Sequence, residues 1–534
     1  MSTLAVPETQ EDSAAITAEG LLRRRAQQKP DAPALSDPPN RQMLTATAPR
    51  ALTYGEADAA VDALAAFFVE LGLERGDRIV LQLPNFIEAP LALLGAWRAG
   101  LTVAAVPMLW RSLELARVCD ALEPKALLGI SQFTKDTPAE TLRDVAATRL
   151  SVRFVLGFGR DLPDGVASLD EVIAAGRLSR DTVKPRAHSG PALITFTARA
   201  DAPLVPLFRY EDEILAQGAM VVLSLGLDRS DVILNAYPLT GPVGVALGLA
   251  PWLIGGAALV QHHPFDYGIF VRQILTSEAT VTALPSTILA ELGADGLLRD
   301  PQCKLRRIGR VWSPAELADP RAPLNHMAAE NLSRPVFDLY PLGDLASLVL
   351  RPAPIADRAA LPLGPVHLGE DGGGTVFVET KLAADDPHAL LLRGPVVPQG
   401  RSNGPVARDD DGFVATGLWG QAEGTGHLRV KRDPELIHHG GFTLAASELD
   451  GLYQAYPGFL DAACFVLPDP IVGDRIFAAV APSPNAPVSL EALHRFLMER
   501  GVSPYKFPDK LLVVRDIPRN AQGRIRRDEI LAQV

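Results

Sequence analysis

Side chains able to do chemistry gather in the last quarter of the chain, where their order is more informative than any one of them. Asp411-Gly412-Phe413 is followed by Thr416-Gly417, Gly426-His427-Leu428 and Lys431-Arg432. Then come Gly440-Gly441-Phe442, Glu448-Leu449, Pro504-Tyr505-Lys506-Phe507-Pro508, Ile517-Pro518-Arg519-Asn520 and Gly523-Arg524-Ile525. Other combinations lead nowhere. His262-His263 and His438-His439 are adjacent pairs, and neighbours on a strand point to opposite faces, so neither pair chelates a metal. Cys119, Cys303 and Cys464 are far apart and form no CxxC, which argues against a disulfide framework or a zinc site and fits a reducing cytoplasm. There is no nucleophile elbow, HExxH or Walker loop. Arg23-Arg24-Arg25 reads as a solvated helix face.

The bulk numbers bound the rest. The 534 residues exceed one compact core, and 47% hydrophobic with 21% charged residues supports a large one. A net charge of -12 disfavours nucleic acid and anionic membrane as partners. Glu8, Glu11 and Asp12 arrive early with no apolar stretch between them, so no secretory leader is expected and residues 1–18 read as a disordered tail. The uncharged run Tyr237–Val260 is long enough to span a bilayer, but Pro238, Pro242, Pro251 and several glycines break it. It reads as buried helix, turn and strand, with no membrane span and a cytoplasmic location.

Positioning these residues requires a scaffold, and its texture is legible. Helical apolar spacing over Asp58–Leu73 precedes a short strand at Arg78–Leu83. A helix over Phe86–Trp97, a strand over Leu101–Val106 and a helix over Leu113–Leu122 follow. The alternation returns between Pro191 and Leu350, so two α/β subdomains with mostly parallel sheets are expected. Beyond Leu363 short strands among Gly, Pro and Asp suggest a small β-rich lobe. After it comes a compact module of strand, helix, strand, strand, helix and strand. The expected class is α/β: a large N-terminal domain at 19–432 and a small mobile α+β C-terminal domain at 433–534.

Taken together, the C-terminal run resembles the signature of the adenylate-forming ligases, the superfamily of acyl-CoA synthetases, luciferases and peptide-synthetase adenylation domains. The resemblance extends over nearly the whole chain. Thr53-Tyr54, Gly76-Asp77-Arg78, Pro84-Asn85 and Trp97-Arg98-Ala99-Gly100 match its start, and Phe265-Asp266, Pro285 and Arg393-Gly394-Pro395 match its middle. The resemblance implies activation of an acyl or aryl carboxylate with ATP and Mg²⁺. A turn of the small domain about a hinge, here Asp433, would then pass the acyl group to CoA.

The positions that would handle ATP depart from the family pattern. The phosphate loop corresponds to Phe196–Pro206, which keeps Thr197 but has no glycine. Pro203 and Pro206 offer no N–H, Asp201 would repel a polyphosphate, and Val205 replaces the loop lysine. Tyr340-Pro341-Leu342-Gly343-Asp344 keeps a ring to stack on adenine and a carboxylate for Mg²⁺, but loses a hydroxyl at Gly343. Leu418 stands where a carboxylate would accept both ribose hydroxyls, a loss of about 1.5–3 kcal/mol. Arg432, the other ribose contact, is retained. Arg524 replaces the catalytic lysine with a wide planar fork. Val311-Trp312 replaces a Gly-Gly pair near the acyl pocket, and Thr240-Gly241 replaces a frequent histidine in the substrate channel.

Three functions are compatible with this pattern. In the first, the chain is a pseudo-ligase with weak or absent ATP binding that keeps a site for an acyl or CoA-type ligand. The second is a divergent working ligase in which Arg199 stands in for the loop lysine. The third is a non-catalytic subunit with a protein partner.

Overall fold

The computed structural model describes residues 16–176, 190–312, 334–350, 361–367, 374–398, 408–423, 426–431, 433–469, 472–484 and 488–533. Among these residues the strands form four sheets. The first runs Val166–Ser168, Phe154–Phe158, Ala126–Ile130, Arg78–Leu81, Thr102–Ala105, Leu193–Arg199 and Ala202–Arg209. All of its pairings are parallel except the last, where Leu193–Arg199 folds back on Ala202–Arg209. The second sheet has eight strands, with Val232–Asn235, Val281–Pro285, Arg307–Val311 and Val336–Leu342 in parallel through its centre. Helices pack on both, as parallel strands require. The third sheet, from Leu361–Pro362 to His427–Lys431, is antiparallel. The fourth, Leu436–His439, Phe442–Ala445, Phe459–Asp469, Gly473–Pro482 and Leu511–Val513, carries helices Ala446–Gln454 and Leu490–Glu499.

The chain thus has a large unit of two α/β sheets and a β-rich sheet, followed by a small α+β unit, as its alternation suggested. The expected helix over Asp58–Leu73 occupies Tyr54–Glu70, moved earlier by a capping box between Thr53 and Glu56. Tyr237–Val260 breaks into Pro242–Gly244, a π-turn at Val245–Leu249, Ala250–Gly255 and the strand Ala258–Gln261. No described helix is long and apolar enough to cross a membrane. The first helix begins at Ala18, with Thr17 capping it by accepting from Gly20 N at 3.1 Å.

One expectation is corrected. Arg23-Arg24-Arg25 is not a wholly solvated face: only Arg24 is exposed. Arg23 pairs with Asp58 and Asp62, and Arg25 lies over the Tyr54 ring. The same two aspartates meet Arg98, whose buried guanidinium bonds Glu19 at 3.1 Å, Asp58 at 2.7 Å and Asp62 at 2.8 Å. This one cation ties the first helix to Tyr54–Glu70 and Glu88–Arg98. Arg98→Met would leave three desolvated carboxylates without their shared partner and should cost about 3–5 kcal/mol. The check is a lowered denaturant midpoint with unchanged m-value.

Candidate active site

The loop expected to cradle phosphate is a tight hairpin. Phe196 pairs with Pro206, Thr197 with Val205 and Arg199 with Ala202, so Ala200-Asp201 alone form the turn. A phosphate cradle needs several backbone N–H groups free and converging. Here the antiparallel ladder takes up alternate amides, and the two prolines supply none. Arg199 sits exposed at the tip, 3.3 Å from Asp201.

Tyr340 and Asp344 lie on a second hairpin, Val336–Leu342 with Ala346–Leu350. Gly343 makes its turn at φ +59°, where an added Cβ would sit 2.4 Å from the Thr416 carbonyl. Tyr340 has no free ring face to offer: it is 3% exposed and stacks on Trp312 at 6.4 Å with the planes only 5° apart. Asp338 fixes Trp312 by accepting from its Nε1 at 2.9 Å, and Arg310 covers the indole from 4.5 Å while bonding Asp338 at 2.6 Å. Trp312 therefore lies against the ring that the resemblance would stack on adenine. A small hollow among Tyr237, Ala283, Gly309 and Leu339 measures about 10 Å³, about the space of one water.

Asp344 faces a different cleft, of about 90 Å³, walled by Trp110, Phe196, Thr240, Phe442 and Tyr505. Its carboxylate accepts from the hydroxyls of Thr197 and Thr443, yet burial pushes its pKa up. Thr443 belongs to the small unit. There the Gly440-Gly441 turn, positive in φ at both residues, brings Gly441, Phe442 and Thr443 into the cleft. Ser447 Oγ also donates to the Ala200 carbonyl at 3.1 Å.

The structure thus joins Thr197 to Asp344, keeps Tyr340 behind Trp312, and separates Arg524 from all three. Arg524 is exposed in a turn where its N–H donates to Asn520 Oδ1 at 2.9 Å, and it does not line the cleft. Asp433 lies between the last strand of the third sheet and the first of the fourth, accepting from Glu435 N at 2.9 Å. Arg432 lies outside the described residues. Leu418 is 3% exposed and packs into the main core. The first histidine pair parts: His262 Nδ1 meets Gln273, whereas His263 stacks on Phe133.

Arg209 escaped the sequence reading. It is buried, and its guanidinium donates to the Leu345 carbonyl at 2.6 Å, to the Asp344 carbonyl and to Thr195 Oγ1 at 3.1 Å. Desolvation lowers its pKa to about 10. It fixes the Asp344 turn, and the available signal was a cation inside the apolar run Leu207-Phe208-Arg209-Tyr210.

Folding raises the Asp344 pKa, so the native state favours the protonated acid. That contribution is complete below the ordinary aspartate value of about 4 and is lost as pH climbs through the higher folded value. Asparagine does not titrate. Asp344→Asn should therefore gain stability relative to the parent as pH rises from about 4 toward neutrality. Urea melts across that range check it; parallel stability curves would refute it.

Comparison with known proteins places this geometry. The AMP-binding enzyme family model matches residues 22–340. The medium-chain fatty-acid–CoA ligase of Escherichia coli (strain K12) is 25% identical over 501 residues, covering 89% of this chain and 84% of that protein. The 2-hydroxy-7-methoxy-5-methyl-1-naphthoate–CoA ligase of Streptomyces carzinostaticus is 26% identical over 541 residues, covering 96% and 92%. Among solved structures, the amide bond synthetase McbA from Marinactinospora thermotolerans shares the fold, with a TM-score of 0.75 at 19% identity over 97% of this chain and 99% of that one. Sequence signature, sheet order and family match agree: the chain belongs to the AMP-binding enzyme family, within the adenylate-forming ligase superfamily.

Proposed function

We propose that this protein is an acyl-CoA-synthetase-like pseudo-ligase, with carboxylate adenylation lost or weak and the fold kept to hold an acyl or CoA-type ligand. The observation that carries this reading is the Trp312–Tyr340 stack, which sets the chain's own indole against the ring that would hold adenine. Three further features support it. The Thr197–Val205 hairpin spends alternate amides on its own ladder and has no glycine turn to gather the rest into a nest. Leu418 at the ribose position is an apolar core residue. Asp344, the residue left to bind Mg²⁺, already accepts two hydroxyl donors and is pushed toward its neutral form, which fits a divalent cation poorly.

In this reading Arg524 supplies no chemistry, Arg432 is a remnant of ribose binding, and Asp433 divides the domains 19–432 and 433–534. ATP, AMP, Mg²⁺ and CoA are the family's ligands, and ATP is the one this site accommodates least. A cytoplasmic location and a protein partner both accord with the reading.

A second reading, a divergent working acyl- or aryl-CoA ligase, draws support from the relatives, which are named as ligases, and from the surviving Thr197–Asp344 contact.

Pyrophosphate exchange with a panel of carboxylic acids separates the two. No exchange, and no heat on titrating millimolar Mg·ATP, is expected. Robust exchange that Arg524→Ala abolishes would overturn the proposal. Trp312→Gly supplies the complementary test. Uncovering Tyr340 should recover a base-stacking contact of about 1 kcal/mol, the lower end of the usual range, tightening AMP ~5-fold. ATP should gain no more than AMP, because the hairpin still denies its phosphates a cradle.

A further inference from the structure

The cleft beside Asp344 combines aromatic walls, paired charges and one available hydroxyl, and together these define a class of ligand. Two of its rings come from the large unit and two from the small one. Trp110 and Phe196 lie 5.3 Å apart between ring centres, and Phe442 stacks on Tyr505 at 4.5 Å. Trp110 Nε1 donates to the Tyr505 hydroxyl at 2.9 Å, which joins the two pairs. All four line the same space of about 90 Å³. A single water needs about 10–15 Å³, so there is room for roughly six to nine water-sized groups. That is the size of one aromatic ring with a small substituent.

The cations on the wall already have partners. Lys506 Nζ lies 3.0 Å from Glu114 and 2.8 Å from Glu448, and Arg117 pairs with the same Glu448 oxygen. The remaining ionisable group is another acid, Asp344. A ligand carboxylate would therefore meet Asp344 and find no unpaired cation to offset its desolvation. An uncharged ligand avoids that cost and needs only a polar anchor. Thr240 supplies one: it lines the cleft, and among the described residues its hydroxyl has no hydrogen-bond partner. Next to it, a Cβ added at Gly241 would meet nothing within 4 Å.

We propose that this cleft is where the protein holds its acyl-type ligand, and that the ligand is an uncharged aromatic carbonyl compound, an aryl amide or aryl ester, rather than a free acid. The ring lies among the four aromatic side chains, and the carbonyl accepts from the Thr240 hydroxyl. The proposal rests on the pseudo-ligase reading, in which no free carboxylate has to be presented for activation. Because two walls belong to the small domain, the site is complete in the orientation seen here.

Calorimetric titration of the full chain at neutral pH with benzamide, benzoate and cyclohexanecarboxamide tests it. Benzamide should bind at least ~10-fold tighter than benzoate, which differs from it in charge. It should bind ~2–10-fold tighter than cyclohexanecarboxamide, which has no aromatic face. Thr240→Val should weaken benzamide ~5-fold, the loss of one neutral hydrogen bond. Gly241→Leu should abolish binding by filling the cleft. Its backbone is extended at φ -139°, a conformation leucine adopts freely, so it keeps the test decisive if Thr240→Val does not fold. Benzoate binding as tightly as benzamide, or benzamide binding that survives Gly241→Leu in a protein with the parent circular dichroism spectrum, overturns the assignment. No benzamide binding at millimolar concentration, with pyrophosphate exchange also absent, overturns it and leaves the pseudo-ligase reading standing. Exchange with carboxylic acids, alongside benzamide binding that Gly241→Leu abolishes, overturns the pseudo-ligase reading alone.

Discussion

A backbone amide can spend its hydrogen-bonding capacity once, and at the start of the second half of the large domain that choice organises the site. In Leu193–Arg209 alternate amides go to the opposite strand of the hairpin. That commitment finishes the sheet edge. The hairpin also gives the small domain something flat to rest on: Ser447 bonds the carbonyl of Ala200 at its tip, and Thr443 and Thr197 close on one carboxylate from opposite sides.

A comparable substitution of self-contact for ligand contact recurs around Tyr340. A phenol that in a purine site would present one face to solvent has both polar and apolar needs met within the chain. Its ring lies against Trp312, and its hydroxyl reaches Asp338 at 3.4 Å. Arg310 and Asp338 then neutralise each other beneath the indole. Desolvated aromatic pairs held by a hydrogen bond and a cation are rigid, so this patch behaves as core.

Sequence reading reached the scaffold and the family because both rest on features repeated many times: period, punctuation, and an ordered run of short motifs. It singled out Thr197, Tyr340 and Asp344 for the same reason, and the structure brings Thr197 and Asp344 together. It treated Phe196–Pro206 as a loop because the motif it was aligned with is one. The alternating burial of Ala202–Arg209 was the clue to a strand, and two prolines at an edge are compatible with one. It read Tyr505 and Lys506 only as part of the C-terminal run. Their role emerges only when Glu114 and Arg117, almost four hundred positions earlier, are set beside them. Arg209 escaped for a similar reason: its partners are backbone carbonyls 135 and 136 residues away, and carbonyls carry no sequence signal.

The turn at Gly343 has an evolutionary corollary. A hydroxyl-bearing residue there would have to adopt a left-handed backbone and push its Cβ against the Thr416 carbonyl. Threonine, branched at that carbon, is among the residues least able to do so. No single codon change can therefore restore the lost group in the present backbone. The turn must first open, and Arg209, clamped on its two carbonyls, opposes the opening. A sequence change at position 343 alone is thus held back by the geometry of two neighbours.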